Sequence, residues 1–158
     1  SGRARGRSRN GDRVTNMVVL ALDIGETRIG IAASDRSGRV AMPVKVMNAD
    51  EVINLARPFR MLLEDYEPEL LVCGLPQTMA GEEGPQAERI KGVAQKLSDA
   101  TGLPVAFADE RLSSREAKRI LREEGLSERQ MRGKVDMIAA SLFLQAWLDG
   151  HDRKESRG

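Results

Sequence analysis

Four acidic residues stand where chemistry could be done. Asp23 closes the apolar run 18–22, Asp109 and Glu110 follow the run 105–108, and Asp136 falls in the first turn of a mostly apolar stretch over 134–148. Short apolar runs bounded by turn residues read as buried strands, and the longer stretch reads as a helix. Carboxylates gathered at strand ends repel one another unless positive charge sits between them. The hard ions Mg²⁺ and Mn²⁺ prefer oxygen ligands and suit such a set. A pair of them about 4 Å apart can activate a water and stabilise the leaving oxygen of a phosphodiester. By spacing alone the acids have a plainer reading too, since an Asp in a first helical turn is favoured by the helix dipole and Asp109-Glu110 can be a solvated turn.

The remaining inventory narrows the chemistry. The single histidine, His151, lies in the polar segment 150–158, and the single cysteine, Cys73, lies in the apolar run 70–74, where it reads as a small core residue. An internal disulfide, a Cys/His zinc site and histidine general-base catalysis are thereby set aside. Arg28, Arg111 and Lys134 stand close in sequence to the acids, and each could contact a phosphate or neutralise a carboxylate. Residues 76–85 form a long Gly-containing loop of the kind that shapes a substrate entrance. Its Gln77 and Thr78 could hydrogen-bond a phosphate or sugar, although Glu82 and Glu83 make its tip a poor phosphate binder.

The elements that must position these residues follow from periodicity and turn signals. Residues 18–22, 28–34 and 40–46 read as three strands joined by short turns, hence an antiparallel meander. Over 50–65 the spacing of Val52, Leu55, Ala56, Phe59, Leu62 and Leu63 is helical, with Pro58 kinking or dividing the helix. A strand over 70–74, a helix over 86–101 ended by Gly102, and a strand over 105–108 come next. Ser113 or Ser114 can cap a helix that ends near Gly125, and a last helix runs over 134–148. Three antiparallel strands followed by helix–strand–helix–strand predict a mixed five-stranded sheet covered by helices on both faces.

At 158 residues the chain suits one domain, expected over 17–149 between a basic tail over 1–16 and a polar tail over 150–158. The first segment, with Arg3, Arg5, Arg7, Arg9 and Arg13 among Gly, Ser and Asn, has too little apolar content to fold and reads as disordered, either an extension or a cloning remnant. Without it the chain holds 20 basic and 23 acidic residues, a net of −3, which offers nucleic acid no bulk attraction. Aromatics are scarce at 3%, which argues against a base-stacking surface. No stretch is long and apolar enough to span a membrane, and no segment of the sequence reads as a secretory signal, so none is expected.

Four segments together resemble the YqgF/RuvX family. They are Asp23-Ile24-Gly25-Glu26-Thr27-Arg28-Ile29-Gly30-Ile31-Ala32, then Gly74-Leu75-Pro76-Gln77-Thr78-Met79-Ala80-Gly81, then Asp109-Glu110-Arg111-Leu112-Ser113-Ser114 with Ala117, and last Lys134-Val135-Asp136 with Ala139-Ala140 and Leu144-Gln145. One such segment is weak evidence; four in order across 17–149 are specific. The resemblance implies a ribonuclease H-like fold related to Holliday-junction resolvases, and a cytoplasmic bacterial protein that matures the 5′ end of 16S ribosomal RNA. It implies a metal-dependent nuclease with an acidic triad on Asp23, the Asp109/Glu110 pair and Asp136, holding Mg²⁺ or Mn²⁺, two ions in all. Strand alternation sends neighbours to opposite faces, so one member of the adjacent pair is expected to point into the site. Expected partners are precursor rRNA or branched DNA, with ribosomal particles, for a monomer or homodimer.

Competing functions remain open at this point. Junction resolution is the alternative to RNA processing. Asp-Ile-Gly-Glu-Thr also resembles the first phosphate motif of actin-like ATPases, which need a second domain and a second motif. A non-catalytic RNA-binding ribosome-assembly factor would keep the fold without the chemistry.

Overall fold

The computed structural model describes residues 17–76, 84–110 and 113–157, with 152–157 described by backbone alone. The segment 1–16, Gln77, Thr78 and Arg111 lie outside the described residues. In chain order the elements are β1 (Val19–Ile24), β2 (Arg28–Ser34), β3 (Ala41–Asn48), α1 (Ala49–Ile53), α2 (Arg57–Tyr66), β4 (Leu70–Leu75), α3 (Pro85–Thr101), β5 (Val105–Asp109), α4 (Ser113–Glu123), α5 (Glu128–Arg132) and α6 (Val135–Arg157).

The five strands form one mixed sheet in the order β3-β2-β1-β4-β5. β1 pairs antiparallel with β2 and parallel with β4, and β4 pairs parallel with β5. The meander exists because tight turns join the first strands. At the first, Gly25 N–H donates to the Arg28 carbonyl at 2.9 Å. At the second, the Asp35 carboxylate accepts from the Ser37 hydroxyl at 2.9 Å and from Arg39 N–H at 3.0 Å. Those bonds hold the Asp35 carboxyl below its ordinary pKa. The parallel pairs need crossovers, which α2 and α3 supply.

Period-two alternation divides the core between two faces. On one, Leu20, Leu22, Ile24, Ile29, Ile31, Leu71 and Cys73 pack with Phe59 and Leu62 of α2 and with Ile90, Ala94 and Leu97 of α3. On the other, Val19, Ala21, Ala32 and Val72 pack with Ala140, Phe143, Leu144 and Leu148 of α6. Gln145 ties α6 to the strand edge, accepting from Ala41 N–H at 2.9 Å and donating to the Arg39 carbonyl at 2.8 Å. Cys73 is fully buried and its thiol is pushed up to about 12 by burial, so it behaves as a core residue rather than a nucleophile.

Three details differ from the sequence expectation. The helical stretch 50–65 is divided, one of the two outcomes expected of Pro58, but the break comes before it: the chain turns at Leu55, which has a positive φ of 49°, and Pro58 sits in the first turn of α2, where its missing N–H costs nothing. A short helix, α5, precedes the last one, capped by Ser127 and Gln130 in a reciprocal capping box. The last helix does not stop at Leu148 but continues to Arg157, and the His151 ring stacks on Trp147 at 3.8 Å between centroids.

Candidate active site

Asp23 is the fifth residue of β1 and shares the α6 face with Val19 and Ala21. Glu110 lies one residue past β5, and its N–H still donates to the Leu75 carbonyl at 3.2 Å, so it keeps the strand's alternation. That places it with Ala106 and Ala108, which also pack on the α6 side. Asp136 enters from above, in the first turn of α6.

Two glycines make this convergence possible. Gly30 is the register partner of Asp23 across β1 and β2. A Cβ on Gly30 would collide with the backbone of Asp136 and Met137, so only glycine lets the start of α6 settle onto the sheet here. A Cβ on Gly74 would lie 2.6 Å from the Phe143 ring and 2.9 Å from Glu110 Oε1. The same residue thus makes room for the anchoring ring of α6 and for the Glu110 carboxylate.

The electrostatics follow from three acids sharing a half-dry space. Burial and the neighbouring Glu110 push the Asp23 carboxyl up to about 9, with Asp136 adding repulsion. A hydrogen bond joins the two groups, so one proton lies between the Asp23 and Glu110 carboxyls. Burial raises Glu110 as well, opposed by that bond from Asp23 and reinforced by Asp136 and Asp109. Burial also raises Asp136, and the Arg28 guanidinium opposes it. Arg28 opens β2 on the same face as Gly30, with its side chain exposed.

Of the adjacent acids, then, Glu110 joins Asp23 and Asp109 does not. Asp109 belongs by alternation with Val105 and Phe107 on the α3 side and is solvent-exposed. The structure brings Asp23, Glu110, Asp136 and Arg28 together. Lys134 is exposed in the turn two residues before Asp136, its N–H donating to the Met131 carbonyl at 2.9 Å.

The donor set fits a hard divalent cation in its chemistry. It is all oxygen, it is partly buried, and its crowded carboxyls have raised pKa values that a cation among them would lower. The fit is one of donor type and common face. Among the described residues no three His, Cys, Asp or Glu side chains stand close enough together to cage an ion as they are.

Comparisons with known proteins identify the chain's relatives. Residues 17–150 match the profile of the RuvX family, described as Holliday junction resolvase. A protein of Chloroflexus aurantiacus named "Putative pre-16S rRNA nuclease" is 39% identical over 144 residues, covering 91% of this chain and 94% of that one. One of the same name from Anaeromyxobacter dehalogenans is 46% identical over 134 residues, covering 84% and 97%. Among solved structures, T. thermophilus RuvC in complex with Holliday junction substrate superposes with a TM-score of 0.50 at 18% identity, covering 85% of this chain and 98% of that one. Fowlpox virus resolvase with junction DNA gives 0.52 at 13% identity, covering 85% and 98%. These likenesses show the ribonuclease H-like fold.

Proposed function

The chain belongs to the RuvX family, and on that premise we propose that it is a divalent-metal-dependent nuclease that hydrolyses phosphodiester bonds at Asp23, Glu110 and Asp136. The observation that carries the proposal is the convergence of these three acids, each with a raised pKa, on the α6 face of the sheet. Precursor 16S rRNA, cut at its 5′ end, is the leading substrate, because relatives sharing 39–46% of their residues over nearly their whole length bear that name. This assigns the work to the cytoplasm, on precursor rRNA free or within ribosomal particles.

Mg²⁺ or Mn²⁺, two ions in all, would be held by Asp23, Glu110 and Asp136 and would supply an activated water and charge stabilisation at the phosphate. For that role Asp23 must release the proton it shares with Glu110, freeing oxygens of both carboxylates. Arg28 moderates the charge of Asp136 and lies where a phosphate oxygen can reach it. Lys134 offers a second cation on the same approach. Attack of water on phosphorus breaks the P–O3′ bond and leaves a 5′-phosphate and a 3′-hydroxyl. Gln77, Thr78 and Arg111 are proposed substrate contacts from their places in the family-like segments.

Holliday-junction resolution is the second reading, favoured by the description of the family itself. It differs in symmetry, since paired cuts in a four-way junction call for a twofold dimer. Incubating the protein with a precursor 16S 5′-leader RNA and with a four-way DNA junction, in Mn²⁺, Mg²⁺ or EDTA, separates the readings. Metal-dependent cutting of the leader is expected, lost in Asp23→Asn. Cutting that survives EDTA contradicts the site, and binding without cutting favours an assembly factor.

A further inference from the structure

We propose that the exposed face of α4, carrying Arg115, Lys118 and Arg122, is a seat for the phosphate backbone of double-stranded nucleic acid flanking the cleaved bond. The inference rests on the reading that this chain acts on nucleic acid. α4 buries Ala117 and Leu121, with Ile120 partly covered. At 100° per residue, Arg115, Lys118, Arg119 and Arg122 project from the opposite side, and Glu116 and Glu123 occupy one flank. Arg119 is taken up by that flank, in ion pairs with Glu116 and Glu123. Arg115, Lys118 and Arg122 are exposed and form no ion pair with any described residue.

The charge is segregated on a larger scale as well. Residues 113–134 hold seven basic and four acidic residues, a net of +3, whereas the rest of 17–149 holds ten basic and seventeen acidic, a net of −7. A chain with no bulk attraction for nucleic acid therefore concentrates its cations in one segment. That segment runs between two site carboxylates. α4 starts three residues after Glu110, with Ser113 N–H donating to the Glu110 carbonyl at 2.9 Å, and Lys134 closes the segment two residues before Asp136.

Spacing and composition name the ligand. A rise of 1.5 Å per residue spreads Arg115, Lys118 and Arg122 over about 10 Å along the helix axis, a span over which neighbouring phosphates of one strand can be engaged. Neither α4 nor α5 contains an aromatic residue, so this face has nothing on which unpaired bases could stack. Cations without stacking rings suit a paired backbone, held without reading its sequence.

The test is binding in EDTA, where no cleavage occurs, of a 24-base-pair RNA duplex and the matching DNA duplex, followed by anisotropy from 50 to 200 mM salt. Replacing Arg115, Lys118 and Arg122 together by Ala keeps helix propensity, so the triple variant should unfold at the wild-type temperature. Each lost phosphate contact flattens the slope of log K against log salt by about 0.9 on a B-form duplex. The triple variant should therefore lose a slope of about 2 to 3 and at least about tenfold in affinity, while Arg119→Ala changes little. Loss on either duplex supports the seat, and the tighter duplex identifies its source. Wild-type slope and affinity in the triple variant, or loss equalled by Arg119→Ala, overturns it. Because the readout is binding, a wild type that binds but never cuts with metal would instead refute the nuclease reading and leave the seat standing.

Discussion

On one face of the sheet β1 presents Leu20, Leu22 and Ile24, and on the other Val19, Ala21 and Asp23. The first face is closed by α1, α2 and α3 over a continuous apolar cluster. The second is closed by α6 over a smaller one, and toward the ends of the strands apolar packing gives way to three crowded, partly buried acids. The same strands thus supply stability on one side and hold an electrostatic conflict on the other. A conflict of this kind costs folding energy and persists because the surrounding packing holds it in place.

The contrast can be broken from either side. Asp23→Asn should lower the cleavage rate about a thousandfold, roughly 4 kcal/mol of barrier, while raising metal-free stability by about 1 kcal/mol. Phe59→Ala, on the opposite face and fully buried, should do the reverse, costing about 4 kcal/mol of stability with the rate per folded molecule unchanged. Denaturant unfolding alongside cleavage kinetics checks both. Gly30→Ala should damage both properties, because the added methyl pushes α6 off the sheet. About 2–3 kcal/mol of stability and about a hundredfold in rate are expected, whereas an intact rate would show that the seating of Asp136 is immaterial.

The smallest effect is in pH. The folded state holds the Asp23 proton up to about pH 9, whereas an ordinary Asp releases it near 3.8. Between those values the folded chain binds more protons than the unfolded one, so metal-free stability falls as pH rises. The contribution is whole below about pH 4 and gone above about 9; the raised Glu110 and Asp136 carboxyls act in the same direction. Asp23→Asn should remove most of this slope and melt about 3 °C above wild type at pH 8 in EDTA. Mn²⁺ should narrow that gap by stabilising the wild type alone.

Much of this was legible in the sequence. The meander, the mixed five-stranded sheet and the helices on both its faces follow from turn residues and periodicity, and Asp23, Glu110 and Asp136 were among the candidates; the order of strands across the sheet did not follow from them. What the one-dimensional pattern left open was the choice between Asp109 and Glu110. That choice depends on whether the ladder continues past Asp109, and a single bond from Glu110 N–H to the Leu75 carbonyl settles the parity. The role of Gly30 was hidden for a similar reason, since a glycine inside a strand gives no sign of the helix that lands on it more than a hundred residues later. α5 could have been found from Ser127-Glu128-Arg129-Gln130, a capping-box pattern in plain view. The basic stripe of α4 was obscured by reading charge as a total rather than by helical face.

Glu110→Gln and Asp109→Asn, assayed side by side for Mn²⁺-dependent cleavage of the precursor leader RNA, test the central claim most directly. The two residues are adjacent in sequence and differ in the face they serve. Loss of about a hundredfold or more in Glu110→Gln, with Asp109→Asn within about threefold of wild type, is the predicted result. Loss in Asp109→Asn with Glu110→Gln active would contradict the assignment of the acidic site to the α6 face.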